Sequence, residues 1–308
     1  MSTTQSTHAI GTLKRLKILC ISEIGWFDDA TLMADVKAAG GMGVSQYQLS
    51  WPPLGDLHND NAAGSSALIE AEGLDGKVHP ILFDTGWNPA WMDRRFAEEG
   101  IDQRLQRGEI EALIISHEHF DHFWGIGSTL KHCPSLPVYI PEGFHDEGLE
   151  FIKQAGHTGP VVTVHPDQPI ELFPGCAVAH FRMNTLLRVQ GENVLYFNLA
   201  DKGLAMVTGC GHGGVVNLLE YGQATFGKPI HAVYGGLHIS PFGEWDAEHE
   251  KIIERLEDFH IARLGCNHCT GVKAVQHMMA VGLPVVRGTA RHGSKTDLYL
   301  GNGDVLEV

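Results

Sequence analysis

A mixed α/β domain is what the sequence predicts, on three observations. Short apolar runs rich in β-branched residues recur along the whole chain, stretches of helical period separate them, and the early runs pair like hairpins while strand and helix alternate throughout. Strands are expected at 16–22, 67–71, 80–84, 112–116, 136–140, 161–164, 177–181, 194–198, 204–208, 230–234, 285–288 and 297–300. Helices are expected at 89–99, 144–155, 215–226, 246–259 and 272–281. The clearest is 246–259, where Asp246 can cap and Ile252, Ile253, Leu256 and Phe259 form an apolar stripe.

Composition narrows the function classes. The 308 residues carry 22 Lys+Arg against 37 Asp+Glu, a net charge of −15. Such a balance argues against a grip on nucleic acid, which needs basic stripes to neutralise phosphates. With 43% apolar and 19% charged residues, the chain is too apolar for disorder and can bury a large core. Six scattered cysteines do not resemble the dense disulfide framework of a small secreted domain, and they fit a reducing compartment. Lys14, Arg15 and Lys17 precede an apolar stretch, 18–21, that is too short for a signal-peptide core. No uninterrupted apolar run approaches the ~18–20 residues of a membrane span. The expectation is a soluble cytoplasmic protein with a small-molecule substrate, no nucleic-acid partner and no membrane partner; oligomeric state has no signature here.

Residues 26–64 form the one stretch with weak pattern, rich in Gly, Pro and Asn. Long irregular segments inside compact domains are commonly functional loops or lids, the plainer alternative being a surface loop. Trp26, Phe27, Tyr47 and Trp51 are costly to leave in water, so the segment is expected to fold back over something.

Histidine is over-represented, with 19 residues against 22 Lys+Arg. The count matters less than one cluster, Ile114-Ile115-Ser116-His117-Glu118-His119-Phe120-Asp121-His122. A buried strand ends at Ser116, and His117, His119, Asp121 and His122 follow within six residues. On a regular helix these positions do not converge, because only residues three or four apart share a face. In a strand-to-helix loop they can, two histidines reaching one cation while Asp121 and His122 reach a second. A single histidine after a strand is usually a satisfied core or surface residue, but three with an aspartate at one strand end are hard to explain that way. Imidazole with carboxylate suits Zn, Fe or Mn.

This segment resembles the His-x-His-x-Asp-His signature of the metallo-β-lactamase-fold hydrolases, preceded as there by a strand ending in aspartate, Ile81-Leu82-Phe83-Asp84-Thr85-Gly86. The resemblance continues through Asp201-Lys202-Gly203-Leu204, Val207-Thr208-Gly209-Cys210-Gly211-His212-Gly213-Gly214, Gly235-Gly236-Leu237-His238 and Asn267-His268-Cys269-Thr270-Gly271. Together these resemble the branch related to 7,8-dihydropterin-6-methyl-4-(β-D-ribofuranosyl)aminobenzene-5′-phosphate synthase. The resemblance implies one domain over residues 1–308, a four-layer αββα sandwich of two mixed sheets flanked by helices, with 26–64 as wall or lid of the site. It implies a dinuclear centre at the sheet edge, with His117, His119 and His212 on one metal and Asp121, His122 and His268 on the other. Cys210 stands where the wider family has a metal-bridging carboxylate or cysteine; it is either a ligand or adjacent packing, and small buried apolar cysteines are common. Asp84 is expected to support the metal loop by hydrogen bonds, or more simply to end a strand before a turn. His238 is either a substrate-contacting residue or a core histidine.

Other signals are discounted. Cys266-x-x-Cys269 has no second pair to complete a structural zinc site. Gly209, Gly211, Gly213 and Gly214 do not form the dinucleotide glycine pattern. Arg182, Arg188 and Arg291 can grip a phosphate, but their spacing is undiagnostic. Glu118 and Trp124 stand where the branch commonly has smaller residues, and Trp124 can narrow the pocket.

Two cations ~3.5–4 Å apart lower the pKa of a shared water and polarise the oxygen under attack. The expected activity is therefore hydrolysis of a small-molecule ester, phosphoester or related bond with two divalent ions, zinc first and iron or manganese as alternatives. Asp121 and His238 are the expected catalytic contributors. The alternatives are a condensation giving a dihydropterin–ribofuranosylaminobenzene phosphate and a di-iron redox protein.

Overall fold

The computed structural model describes residues 8–23, 34, 36–41, 43–49, 64–241, 245–294 and 296–308. Strands β1 (Leu13–Ser22), β2 (Ser66–Gly73) and β3 (Val78–Phe83) lead into helices α1 (Pro89–Glu99) and α2 (Ile101–Gln106). Next come β4 (Ala112–Ile114), two short helices α3 (Phe120–Phe123) and α4 (Ile126–Leu130), β5 (Val138–Pro141), α5 (Asp146–Gln154), β6 (Val161–Val164), β7 (Ile170–Phe173) and β8 (Cys176–Arg182). After β9 (Gly191–Leu199) and β10 (Gly203–Thr208) follow α6 (Val215–Phe226), β11 (Ile230–Gly236), α7 (Ala247–Glu257), β12 (Arg263–Asn267), α8 (Val272–Ala280) and β13 (Val305–Glu307).

The strands make two mixed sheets. One runs β13-β1-β2-β3-β4-β5-β6, antiparallel up to β3 and parallel beyond it. The other runs β7-β8-β9-β10-β11-β12, antiparallel up to β10 and then parallel. A single registered pair, Leu13 with Leu199, joins them.

Alternation along the strands explains why the sheets stack. In β9, Leu195 and Phe197 turn to one apolar cluster and Val194 and Tyr196 to another; β10 repeats this with Ala205 and Val207 against Leu204 and Met206. Period-2 apolar residues on both faces bury the strand twice. The shared cluster lies between the sheets, where Leu16, Ile18, Ile69, Phe83 and Ile114 of the first sheet meet Val178, Phe197, Val207 and Tyr234 of the second. A second cluster packs Leu218 and Leu219 of α6, Ile253 and Leu256 of α7 and Val275 of α8 on the outer face of one sheet. A third packs Trp91, Met92, Phe96, Ile101 and Leu105 of α1 and α2 on the other. The layers are thus helix, sheet, sheet, helix, the four-layer sandwich.

Helix ends follow their sequence chemistry. Asn88 accepts hydrogen bonds from the N–H of Ala90 (3.0 Å) and Trp91 (3.4 Å), Pro89 opens α1, and Gly100 ends it at φ 68°. Asp246 caps α7 by accepting from the N–H of Glu248 and His249.

Several boundaries need correcting. No strand forms at 285–288 or 297–300: Leu264 and Val285 make one bridge, and Pro284 beside it has no N–H to extend a ladder. The sequence reading passed over β7, β12, β13, α2, α3 and α4. Much of 26–64 lies outside the described residues, including Trp26, Phe27 and Trp51. Its described part packs inward, with Val36 and Leu49 buried among Trp87, Phe120 and Leu187.

Candidate metal centre

The clustered side chains gather where strands of both sheets end. Asp84 follows β3, the 116–122 loop follows β4, Cys210 and His212 follow β10, His238 follows β11 and His268 follows β12. Each parallel strand releases its chain at the same edge, so five separate sequence segments meet there.

Asp84 organises the first loop. It is fully buried and left-handed (φ 61°), and its Oδ1 accepts from the Ser116 N–H (2.6 Å). Its Oδ2 accepts from the Ser116 hydroxyl (2.7 Å) and from His122 Nδ1 (2.6 Å). Because Ser116 spends its proton on Asp84, its Oγ accepts from His117 Nδ1 (2.9 Å). The Leu186 carbonyl accepts from His119 Nε2 (2.8 Å), and the Glu23 carbonyl from His268 Nδ1 (3.1 Å). The outer N–H of His117, His119, His122 and His268 thus donates to an acceptor, which aims the inner nitrogen of each ring at the centre.

The inner nitrogens converge in two groups. His117 Nε2 and His119 Nδ1 are 3.0 Å apart, and His122 Nε2 and His268 Nε2 are 3.1 Å apart. Facing lone pairs at such distances repel unless a proton or a metal cation lies between them. Bonds of ~2.0–2.1 Å at a tetrahedral angle set two nitrogens ~3.3 Å apart, close to what is seen. His212 stands against both His117 and His119, with ring centroids at 4.9 and 5.1 Å, and its buried Nε2 has no hydrogen-bond partner. His117, His119 and His212 form one set whose ligand atoms lie within 4.8 Å of one another, and Asp121, His122 and His268 form another. The donor set therefore fits divalent cations.

Electrostatics agree with that geometry. Burial, reinforced by neighbouring imidazoles, drives His117 and His212 well below the usual imidazole range and brings His119 to about 4. These rings are neutral at pH 7, as ligands must be. Burial pushes the Asp121 carboxyl up, but His122 and His268 outweigh it and hold it at about 2. Burial opposes charge on His268 too, yet its hydrogen bond with Asp121 (3.4 Å) and the nearby Cys269 lift it to about 9. A cation competes for the place of that proton.

Cys210 lies between the sets. Its Sγ is 3.2 Å from His122 Nε2, and it shares one ligand-sized cluster with His117 and His122, another with His212 and His238, and a third with His268 and Cys269. His238 is left-handed (φ 45°) and stacks obliquely on His212, with centroids 4.3 Å apart. Cys266 instead turns into the helix-side core, so Cys266 and Cys269 do not form a chelating pair.

Three residues support this arrangement in ways that the sequence pattern does not mark. Glu192, fully buried in β9, accepts from the N–H groups of Cys210 (3.0 Å), Gly211 (2.7 Å) and His212 (2.7 Å) and from the Thr208 hydroxyl (3.1 Å). It fixes the loop that carries Cys210 and His212. Glu118, noted only for its size, accepts from the Tyr47 hydroxyl (2.6 Å) and the His145 N–H (3.0 Å), tying the described part of the irregular segment to the metal loop. Gly209 has no room for a side chain, since a Cβ there meets Ser116 Oγ at 2.1 Å. Trp124 stacks on Phe151 and approaches Tyr47, buttressing the loop from its apolar side.

Comparison with known proteins shows likeness to one superfamily. Residues 61–178 match the family model of the metallo-beta-lactamase superfamily. A 7,8-dihydropterin-6-methyl-4-(beta-D-ribofuranosyl)-aminobenzene-5′-phosphate synthase of Methanocaldococcus jannaschii is 26% identical over 261 residues, covering 70% of this chain and 83% of the relative. An uncharacterized protein of the same organism is 26% identical over 241 residues, covering 69% and 85%. A crystal structure of a metal-dependent hydrolase of the beta-lactamase superfamily shares the fold with a TM-score of 0.59 at 19% identity, covering 95% of this chain and 99% of that one. Residues 61–178 therefore resemble the metallo-beta-lactamase superfamily, and the chain shares the four-layer fold of a metal-dependent hydrolase from it.

Proposed function

We propose that the chain is a metal-dependent hydrolase of a small-molecule ester, phosphoester or related bond. The observation that carries this reading is the convergence of two ligand sets, with the outer nitrogens of His117, His119, His122 and His268 committed to other partners. His117, His119 and His212 would hold one divalent ion and Asp121, His122 and His268 the other, with Cys210 in reach of both and zinc the first choice. Such ions supply Lewis acidity toward the scissile group and lower the pKa of water. Asp121, held ionised, accepts a proton beside the reacting atoms, and half-buried His238 orients the substrate next to His212.

A condensation of the kind named for the M. jannaschii relative is the second reading, supported by 26% identity over 70% of this chain. The metal-loaded chain, assayed on phosphomonoesters, phosphodiesters and carboxylic esters, separates the two. Hydrolysis of one class is expected, abolished by chelation and restored by metal. His119→Ala is expected to lower it about a thousandfold, the equivalent of ~4 kcal/mol of transition-state stabilisation. No hydrolysis, with formation of the pterin–ribofuranosylaminobenzene product, would favour the condensation.

A further inference from the structure

The hairpin joining β8 to β9 presents a charged site that the metal centre does not use. Its stem is closed by Met183 N–H to the Gln190 carbonyl and Thr185 N–H to the Val189 carbonyl, both 3.0 Å. At its tip, Leu187 (φ 61°) and Arg188 (φ 63°) are successive left-handed residues, and neither is glycine. Such backbone is costly for a residue with a Cβ and persists only where the surroundings over-determine it. Here they do. The Leu186 carbonyl is held by His119 Nε2 at 2.8 Å, and Leu187 is driven to 1% exposure among Trp87, Phe120, Val36 and Leu49. Arg188 is consequently turned outward onto the wall of a cavity of about 1050 Å³, shared with Glu142, Gly143, Arg182, Asn184 and Gln190.

The two arginines of this cavity differ. Arg182 meets one Glu142 oxygen twice, through Nε at 3.0 Å and through a terminal nitrogen at 2.9 Å, so its charge is compensated. Arg188 has no carboxylate partner among the described residues. A strained turn, rather than an ion pair, holds an uncompensated guanidinium in place on a chain whose net charge is −15. Planar guanidinium suits bidentate capture of an oxyanion, and Asn184 and Gln190 add neutral polar groups beside it.

We propose that this cavity is the recognition subsite for the anionic end of the substrate, a phosphate ester or carboxylate gripped by Arg188. The same hairpin seats His119 from below, so one short segment sets both the metal loop and the anchor. The role of the substrate's other end rests on the hydrolase reading; the anion-binding half does not.

Titration calorimetry on the metal-loaded full chain, with phenyl phosphate and with benzoate as probes, tests it. Arg188→Ala and Arg188→Gly are expected to weaken binding of the preferred probe about tenfold or more, the loss of a charge-assisted hydrogen bond. Equal losses in both variants assign the effect to the charge, because glycine also relieves the strained backbone. Removing the compensated pair together, Arg182→Ala with Glu142→Ala, is expected to change binding less than about twofold. Unchanged binding in both Arg188 variants overturns the subsite, since the anion would then sit on the metals alone. Binding that depends on Arg188 in a chain that hydrolyses no ester keeps the subsite and removes the hydrolase reading.

Discussion

Glu192→Ala is expected to lower the melting temperature by about 10 °C and to strip metal from the His212 side of the centre. Three backbone N–H groups and the Thr208 hydroxyl end on this one buried carboxylate. Each buried donor left without a partner costs about 1–3 kcal/mol, so the four together cost at least about 4 kcal/mol. That is a large share of the roughly 5–15 kcal/mol that holds a domain folded, and for a chain of this size each kcal/mol moves the melting temperature by about 2–4 °C. Glu192→Gln retains one acceptor oxygen but turns an amide donor toward the His212 or Cys210 N–H, so it should fall between alanine and wild type. Calorimetric melting with metal analysis on the same samples checks both. A melting temperature within about 2 °C of wild type in Glu192→Ala would show that the 208–212 loop is held by something else.

Asp84→Asn is expected to keep the chain folded while weakening metal binding by roughly 10–100-fold, the usual scale for losing the partner of a ligating histidine. Asparagine tolerates the left-handed backbone at this position and leaves an oxygen for the Ser116 N–H. Its amide nitrogen, however, faces His122 Nδ1 with a donor where the carboxylate offered an acceptor. His122 then settles in the other tautomer, with its proton on Nε2, the atom that points at His268 and the centre. Asp84→Ala removes the acceptors for Ser116 as well and should add a clear loss of stability. Competition against a chromophoric chelator measures the affinity; equal affinity in wild type and Asp84→Asn would mean that the tautomer of His122 does not matter.

The mixed α/β class was legible because many of its strands are apolar and alternating, whereas the four-layer stacking was implied only by the family resemblance. β9 and β10 announce themselves through Val194, Leu195, Tyr196, Phe197, Met206 and Val207, all of them fully buried. The strands that escaped reading are short or poor in such residues. β12 is Arg263-Leu264-Gly265-Cys266-Asn267 and becomes a strand only because β11 offers it a parallel edge. β13 spans three residues and pairs with a partner at the far end of the chain. α3 and α4 are each about one turn and separated by Gly125, too short to show a period.

The site divides in the same way. His117, His119, Asp121 and His122 are contiguous, so their convergence was visible from spacing and strand end alone. Their supports act across the fold: Glu192 lies inside an apolar strand, and the Leu186 and Glu23 carbonyls hold His119 and His268 through backbone atoms common to every residue. No sequence pattern marks a carbonyl as a partner. Whether Cys210 ligates was open on the sequence; the structure puts its sulfur 3.2 Å from His122 Nε2, within reach of both ligand sets.

The metal count per chain tests the central claim most directly, taken by elemental analysis on wild type, His119→Ala and His268→Ala after identical loading. Two ions in wild type and one in each variant, with absorption edges naming the element, are the predicted result. Two ions in all three proteins, or a single ion in wild type that both variants retain, would contradict the assignment of these side chains to two metal positions.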